Sequence, residues 1–330
     1  MNIDLSVVIP NRNGSSTIGL CLESVFRQSF PGYEVIVVDD ASDDGSAEVI
    51  EGFPCTLIRL EKHSGASRAR NRGAGAARGP LIFFTDADCL LEPDTLTRVY
   101  NALKERGAGF VIGGTYTELS PDRGFFSDFQ SAFINYSETR HPQTPDYIPT
   151  HAMALHKETF SLIGGFREDF LPILEDVEFS HRARTKGCSL IMQPDTKVRH
   201  IFDYNLVSSF RNALKKSFYW SIYSLKRRDF LRDSGTASHE LKSNVLFFVL
   251  SIMVLIAGIV LGTSMLFVLV PVFFAVNCFL SRDLVRAFYQ AGGIFFALKS
   301  VLYYTLLYPV PVAVGSMGGI IFYPFLRKRL

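Results

Sequence analysis

Carboxylates recur in pairs along this sequence, and each pair stands where the chain turns out of an apolar run. Asp86-Ala87-Asp88 follows Leu81–Thr85 directly. Two carboxylates separated by one small residue can approach a divalent cation and its phosphate partner. Mg²⁺ commonly takes one or two carboxylates plus substrate phosphates rather than an all-protein cage. Taken alone, the triplet is equally an Asp-rich turn. Asp39-Asp40 ends the apolar stretch YEVIVV and opens the turn-rich ASDDGS. Two acidic strand ends in one sheet converge on one cleft, where a cation or hydrogen-bond donors must offset their repulsion. Glu175-Asp176 comes after Gly164-Gly165-Phe166. A carboxylate held in a cleft is a competent general base, while acids are also favoured in the first turn of a helix. Both readings stay open for this pair.

The elements that must position these groups alternate. Leu5–Pro10, Tyr33–Asp39, Thr56–Leu60 and Leu81–Thr85 are short apolar runs that read as buried strands. Between them lie helical stretches at Ser16–Ser29 and Gly65–Arg78, and Pro93–Arg106 follows. Ile18, Leu22, Val25 and Phe26 recur at helical spacing behind a Ser-Ser-Thr start. Apolar strands without polar alternation, separated by helices, predict an α/β fold whose sheet is covered on both faces. Ligands in such sheets bind outside the carboxyl ends of the strands, which is where Asp39, Asp40, Asp86 and Asp88 stand.

Composition narrows the function classes. Among 330 residues, 34 Lys and Arg against 32 Asp and Glu leave a net charge of +2. A nucleic-acid binder normally shows a strong basic excess, so no nucleic-acid partner is expected. The five Cys residues show no CxxC or Cys/His spacing, which predicts neither a disulfide framework nor a zinc site. The thiols read as reduced and cytosolic. MNIDLSVVIPNRNG lacks the basic start and apolar run of a signal peptide and reads as a first strand.

Hydrophobic residues make up 48% of the chain and mean hydropathy is +0.17, and the excess is local. The division predicted is a catalytic domain over 1–203, an amphipathic interfacial linker over 204–233 and a membrane region over 234–330. In the last, 244–261 and 264–280 are near the lower length limit for crossing a hydrocarbon core of about 30 Å. The stretch 294–326, interrupted by Lys299, Pro309 and Pro311, crosses once, crosses twice or is re-entrant. Lys226-Arg227-Arg228, Arg282, Arg286 and Arg327-Lys328-Arg329 flank these runs. The positive-inside rule then places the catalytic domain on the cytoplasmic face of a multi-pass protein of the cell (inner) membrane. In the linker, Leu206, Phe210, Leu214, Phe218, Ile222 and Leu225 share one helical face, with Arg211 and Lys215 on another. That pattern suits a helix lying in the headgroup plane, and equally one packed at a domain edge.

Six stretches occur in a fixed order over Val7–Gly187: VVIPNRNG, VVDDASDDGS, HSGASRARNRGAGAARG, FFTDADCLLEP, LIGGFREDF and LEDVEFSHRARTKG. Together they resemble the family 2 glycosyltransferases, which are inverting enzymes of the glycosyltransferase-A fold. The likeness covers roughly the first 200 residues. It implies a mixed, mainly parallel sheet with helices on both faces and a nucleotide-diphosphate sugar as donor. It also implies Mg²⁺ or Mn²⁺ as cofactor.

Carried onto matching positions, the resemblance implies that Pro10 and the segment after it line the nucleotide pocket. Asp39 or Asp40 accepts hydrogen bonds from the base, and Arg70 and Asn71 lie near the nucleotide and phosphates. Asp86, Ala87 and Asp88 form the metal and sugar-nucleotide motif, with Asp88 the stronger metal ligand. Asp176, beside Glu175, deprotonates an acceptor hydroxyl. His200 is a further metal ligand or a structural histidine. Arg12 stands where the family often has an aromatic residue stacked on the base; a guanidinium plane can also stack.

The basic flank and apolar C-terminal region point to a lipid or lipid-linked hydroxyl acceptor. A polyprenyl-phosphate acceptor, already ionised, needs no base and is the alternative, as is a membrane protein that binds nucleotide sugar without turnover. A processive synthase is disfavoured because no QxxRW motif surrounds Trp220. Dinucleotide oxidoreduction is disfavoured because PNRNGSS has no GxGxxG.

Overall fold

The computed structural model describes residues 3–326. The basic Arg327-Lys328-Arg329 cluster used in the topology argument lies outside the described residues. Contacts divide the chain into two compact units, Met1–Arg123 with Glu138–Asp203, and Gly124–Ser137 with Tyr204–Leu330.

The first unit begins with β1 (Leu5–Asn11), α1 (Ile18–Phe26), β2 (Tyr33–Asp39), α2 (Ser46–Glu51) and β3 (Thr56–Arg59). It continues through α3 (Ala66–Ala76), β4 (Leu81–Phe84), β5 (Cys89–Leu91), α4 (Thr95–Arg106) and β6 (Phe110–Tyr116). The helix α5 (Phe125–Thr139) lies mostly in the second unit. The chain then returns to the first through β7 (Met153–His156), α6 (Lys157–Ile163), α7 (Glu175–Thr185) and β8 (Ser189–His200). These strands make one sheet in the order β3-β2-β1-β4-β7-β6-β8-β5. The half β3-β2-β1-β4 is parallel, as its apolar runs predict. Beyond β4 the sheet is mixed: β7 is antiparallel to β4 and β6, β8 parallel to β6, and β5 antiparallel to β8.

A buried core runs from Val8, Ile36 and Val38 through Phe84, Met153 and Leu155 to Phe160, Phe166 and Phe179. Gly73 sets how closely α3 lies on it. A Cβ there would stand 2.4 Å from Val8 Cγ1 and 3.2 Å from a Val38 methyl. Only a residue without a side chain lets the helix approach this near. Gly73 is three residues from Arg70, so the same close approach carries the Arg70 side chain inward over the strand ends.

The second unit holds α8 (Leu206–Arg227), α9 (His239–Val260), α10 (Leu269–Leu280), α11 (Arg282–Leu302) and α12 (Pro309–Leu326). α9 and the Arg282–Leu326 stretch are long and apolar enough to cross a membrane. The expected 264–280 span is one apolar helical stretch, Ser264–Leu280, whose first turn, Ser264–Val268, is 3₁₀ and runs directly into α10. At about 2.0 Å per residue in the 3₁₀ turn and about 1.5 Å in α10, the stretch reaches about 28 Å, close to the thickness of a hydrocarbon core. The 294–326 stretch bends sharply at its start, where Gly292 and Gly293 leave helical geometry, and carries a π-helical turn at Tyr303–Leu307.

α8 forms, and the stripe it buries within the protein is made mostly of small residues. Ser209, Ala213, Ser221 and Ser224 are buried together with Ile222 and Tyr223, while Leu206 and Leu214 are exposed. The reason is α12. A Cβ at Gly315 would meet the Leu214 carbonyl at 2.4 Å, and one at Gly319 the Phe218 carbonyl at 2.4 Å. Small residues on both helices let the backbones touch, the packing mode that works where the apolar surroundings supply no hydrophobic drive. Phe129 and Phe133 of α5 join Phe288, Tyr303, Tyr304 and Tyr308 in an aromatic core of this unit.

Candidate active site

Strand register brings the acidic pairs to one edge. β1 pairs Asn11 with Asp39 of β2, and Val8 with Phe84 of β4. Asp86, two residues beyond Phe84, therefore leaves the sheet about level with Pro10. Cys89 is the cross-strand partner of His200, and the Ile201 amide donates to the Asp88 carbonyl at 2.9 Å. The β5–β8 pairing thus sets His200 beside the second carboxylate, with Nε2 3.5 Å from Asp88 Oδ2. Ligand atoms of Asp88, Cys89 and His200 lie within 4.8 Å of one another.

Arg70 is the centre of the arrangement. Only 4% exposed, it donates from one terminal nitrogen to Asp86 Oδ1 and from the other to Glu175 Oε1, each at 2.7 Å. Its guanidinium lies 5.8 Å from the Phe166 ring centre. Burial opposes its charge, but the two carboxylates hold it firmly protonated. Burial alone would raise the Asp86 carboxyl, and Arg70 overrides it so that the net displacement is downward. Asp88 has no such arginine. Burial pushes it up, His200 opposes that, and the Asp86 charge adds to it. The neighbouring Cys89 thiol is pushed well up by burial and by both carboxylates.

Asp176 stands in the first turn of α7, where its Oδ1 accepts from the Val177 amide at 2.8 Å. The residue before that helix, Leu174, adopts a left-handed conformation at φ 73°. Non-glycine residues rarely do so, and such strain clusters at functional sites.

Asp39, Asp40 and Asn71 are hydrogen-bonded within the protein. Asp39 accepts from Asn11 Nδ2 at 2.8 Å, from the Ser42 hydroxyl at 2.5 Å and from the Ser42 amide at 3.1 Å. Asp40 accepts from the Ser64 and Gly65 amides at 2.7 and 2.8 Å and faces His63 Nδ1 at 2.7 Å. The pair therefore organises the loop after β2 and the start of α3. Asn71 clamps Phe166 through both backbone groups, each at 2.8 Å, and reaches Glu168 at 3.0 Å. Arg12 is exposed in the loop after β1, and Ala87 is half-buried between its aspartates.

Behind His200 lies a buried group that the sequence reading missed. Tyr116 stacks on His151 at 3.9 Å between ring centres and meets His200 edge-on at 5.1 Å. His151 Nε2 is 3.5 Å from Glu138 Oε2, which also accepts from the Thr115 hydroxyl at 2.7 Å. The His151 carbonyl accepts from Thr85, immediately before Asp86, at 2.9 Å. Glu138 and His151 are scattered through a stretch without periodicity, so only the fold brings them together.

Residues 6–160 match the Glycosyl transferase family 2 model. The chain carries a family 2 glycosyltransferase domain. It is 28% identical over 169 residues to the glycosyltransferase GlyG of Streptococcus pneumoniae, covering 48% of this chain and 56% of GlyG. It is 27% identical over 221 residues to the glycosyltransferase AglE of Haloferax volcanii, covering 65% and 70%. The chain thus spans little more than half of one relative and about two thirds of the other. Among solved structures it resembles the mannosyltransferase PcManGT from Pyrobaculum calidifontis, in complex with GDP-Man and Mn²⁺. That match has a TM-score of 0.59 at 16% identity, over 98% of this chain and 88% of that one. The glycosyltransferase-A fold expected from the motifs is the fold found.

Proposed function

We propose that this glycosyltransferase moves a sugar from a nucleotide-diphosphate donor to a hydroxyl of a lipid or lipid-linked acceptor at the cytoplasmic face of a membrane. One observation carries the reading: a single buried guanidinium, Arg70, joins Asp86 of the DxD motif to Glu175 beside Asp176. The donor end and the acceptor end of an inverting displacement are thereby held on one rigid group, and positioning of this kind supplies a large part of catalysis.

The donor set beside β5 fits a hard divalent cation. Asp88 and His200 offer a carboxylate oxygen and an imidazole nitrogen, and a hard cation prefers such oxygen and nitrogen donors to the soft sulfur of Cys89. Asp88 and His200 would hold Mg²⁺ or Mn²⁺, with Asp86 at the margin because Arg70 already occupies one of its oxygens. When bound, the cation neutralises charge on the departing diphosphate. Pro10 and Arg12 border the nucleotide side, and Asp39 and Asp40 shape its loops while offering their remaining acceptor capacity to the base. Asp176 takes the proton from the acceptor hydroxyl as the new bond forms.

The apolar α9 and its flanking basic residues support membrane placement of the acceptor. The test is a donor screen with the full chain in detergent, counting nucleoside diphosphate released with membrane-lipid extract, with polyprenyl phosphate, and with neither. Release stimulated most by a hydroxyl-bearing lipid fraction is expected. Stimulation by polyprenyl phosphate alone would replace the hydroxyl acceptor with a phosphate one, and no release with any donor would leave a binding protein.

A further inference from the structure

Arg228 occupies a backbone position that favours glycine. It closes α8 in the left-handed region, at φ 59° and ψ 32°. Its amide donates to the Leu225 carbonyl, and the Asp229 amide to the Ser224 carbonyl at 3.1 Å. This is the kind of helix ending in which glycine is the usual residue, because a Cβ there is crowded. An arginine in its place carries backbone strain that glycine would not. A helix C-terminus welcomes a cation, but Lys226 and Arg227 already supply that charge within the last turn.

The Arg228 side chain borders a cavity of about 510 Å³, lined also by Ser224, Leu225, Asp229, Phe230, Leu231 and Arg232. That volume is within the range of small-molecule sites, about 300–1,000 Å³. The acid in its wall is already answered, since Asp229 accepts from Arg227 Nε at 2.7 Å. Asp233 is also engaged, accepting from the His239 amide at the start of α9 at 3.1 Å. Lys242 of α9 reaches back to the Arg232 carbonyl and adds a cation to the same turn. No partner for the Arg228 guanidinium stands among the described residues. The apolar side of the cavity is open, with Leu231 76% exposed. This turn leads directly into α9, the helix with mean hydropathy 2.5 and only 11% of its apolar window buried.

We infer that the cavity at the α8–α9 turn binds the phosphate of an anionic phospholipid of the membrane. Arg228 meets the phosphate, and Leu225, Phe230 and Leu231 receive the glycerol and first acyl carbons. An uncompensated cation next to exposed apolar surface, at the entry of an apolar helix, matches that amphipathic ligand in both charge and depth. The inference rests on the membrane placement proposed above.

The test uses the full chain mixed with liposomes of phosphatidylcholine alone, or of phosphatidylcholine with phosphatidylglycerol or polyprenyl phosphate. Co-flotation reports membrane placement, and native mass spectrometry of the extracted protein reports which lipid it retains. Wild type should retain phosphatidylglycerol over phosphatidylcholine, and Arg228→Gly should lower that preference about fivefold, the weight of one basic residue near a membrane surface. Arg228→Lys should keep it. Because glycine suits this backbone better than arginine, Arg228→Gly should melt no lower than wild type, so loss of lipid is not loss of fold. Flotation with no preference between the phospholipids, or an unchanged preference in Arg228→Gly, overturns the site alone. Stronger retention of polyprenyl phosphate than of phosphatidylglycerol overturns it in favour of the acceptor's own lipid phosphate. Failure to float on any liposome overturns the membrane placement, and this site with it.

Discussion

Asp176→Asn should lower the transfer rate by about 10²- to 10⁴-fold, the usual weight of a positioned general base. The substitution keeps the size and much of the polarity of the side chain and removes its ability to accept the proton. Its surroundings change little, since Asp176 is half-buried and the Asn carbonyl can still accept from the Val177 amide. Donor affinity should stay near that of wild type, because the groups proposed to hold the donor lie on β1, β2 and the β4–β5 turn rather than on α7. The effect therefore belongs in kcat and not in donor KM, as expected for an interaction made only in the transition state. Initial rates and nucleotide affinity measured side by side check it. A rate within about threefold of wild type falls far short of the general-base effect, and would favour an acceptor that arrives already ionised.

Arg70→Met should have the largest structural effect of any single substitution at the site. Arg70 is buried and its two partners are partly so, with 29% and 16% of their side chains exposed. Removing one member of a buried ionic group leaves the others uncompensated and typically costs about 3–5 kcal/mol. The residual solvent access of Asp86 and Glu175 places this case at about 3 kcal/mol, the lower end of that range. For domains of 150–250 residues that is about 6–12 °C in Tm. Asp86 is held below its ordinary carboxyl range, so its share of the stability is present at neutral pH and lost as pH falls through that lowered value. The variant should therefore differ from wild type most at neutral pH and least in acid. Loss of the bridge also frees α7 from the DxD turn, and a misplacement of about 1 Å costs about 10²-fold in rate. A melting curve of the full chain at two pH values, alongside initial rates, measures both. An unchanged Tm at neutral pH would show that the bridge stabilises nothing.

What the sequence made legible follows a physical division. Tyr33–Asp39, an unbroken apolar run ended by two aspartates, is a strand over those very residues. The helices at 65–78 and 93–106 form within one or two residues at each end. The DxD turn lies at the strand end that its neighbours predict. These are local features, written in periodicity and turn residues. Residue partners are another matter, because pairing depends on register and on contacts far apart in the chain. Arg70 reads from its motif as a group near the phosphates, yet it is spent on Asp86 and on Glu175, 105 residues away. Asp39 and Asp40 read as base contacts, yet Asp39 is already engaged with Asn11 and Ser42, and Asp40 with His63, Ser64 and Gly65. The helix Phe125–Thr139, apolar on several sides, gives no sign in its own residues that most of it belongs with the second unit. The contact of α8 with α12 is hidden in the sequence for a related reason. Hydrophobic periodicity finds the face that prefers an apolar environment, whereas contact with the glycines of α12 selects the face with the smallest side chains.

We propose that Asp88 and His200, with Asp86 at their margin, hold a divalent cation for transfer from a nucleotide-diphosphate sugar. The most direct measurement is nucleoside diphosphate release by the full chain after chelation, and again after Mg²⁺ or Mn²⁺ is returned, in wild type and Asp88→Ala. Wild-type release should vanish on chelation and recover with either cation, while Asp88→Ala should recover little at any cation concentration. Undiminished release in chelator, or wild-type release by Asp88→Ala, would contradict it.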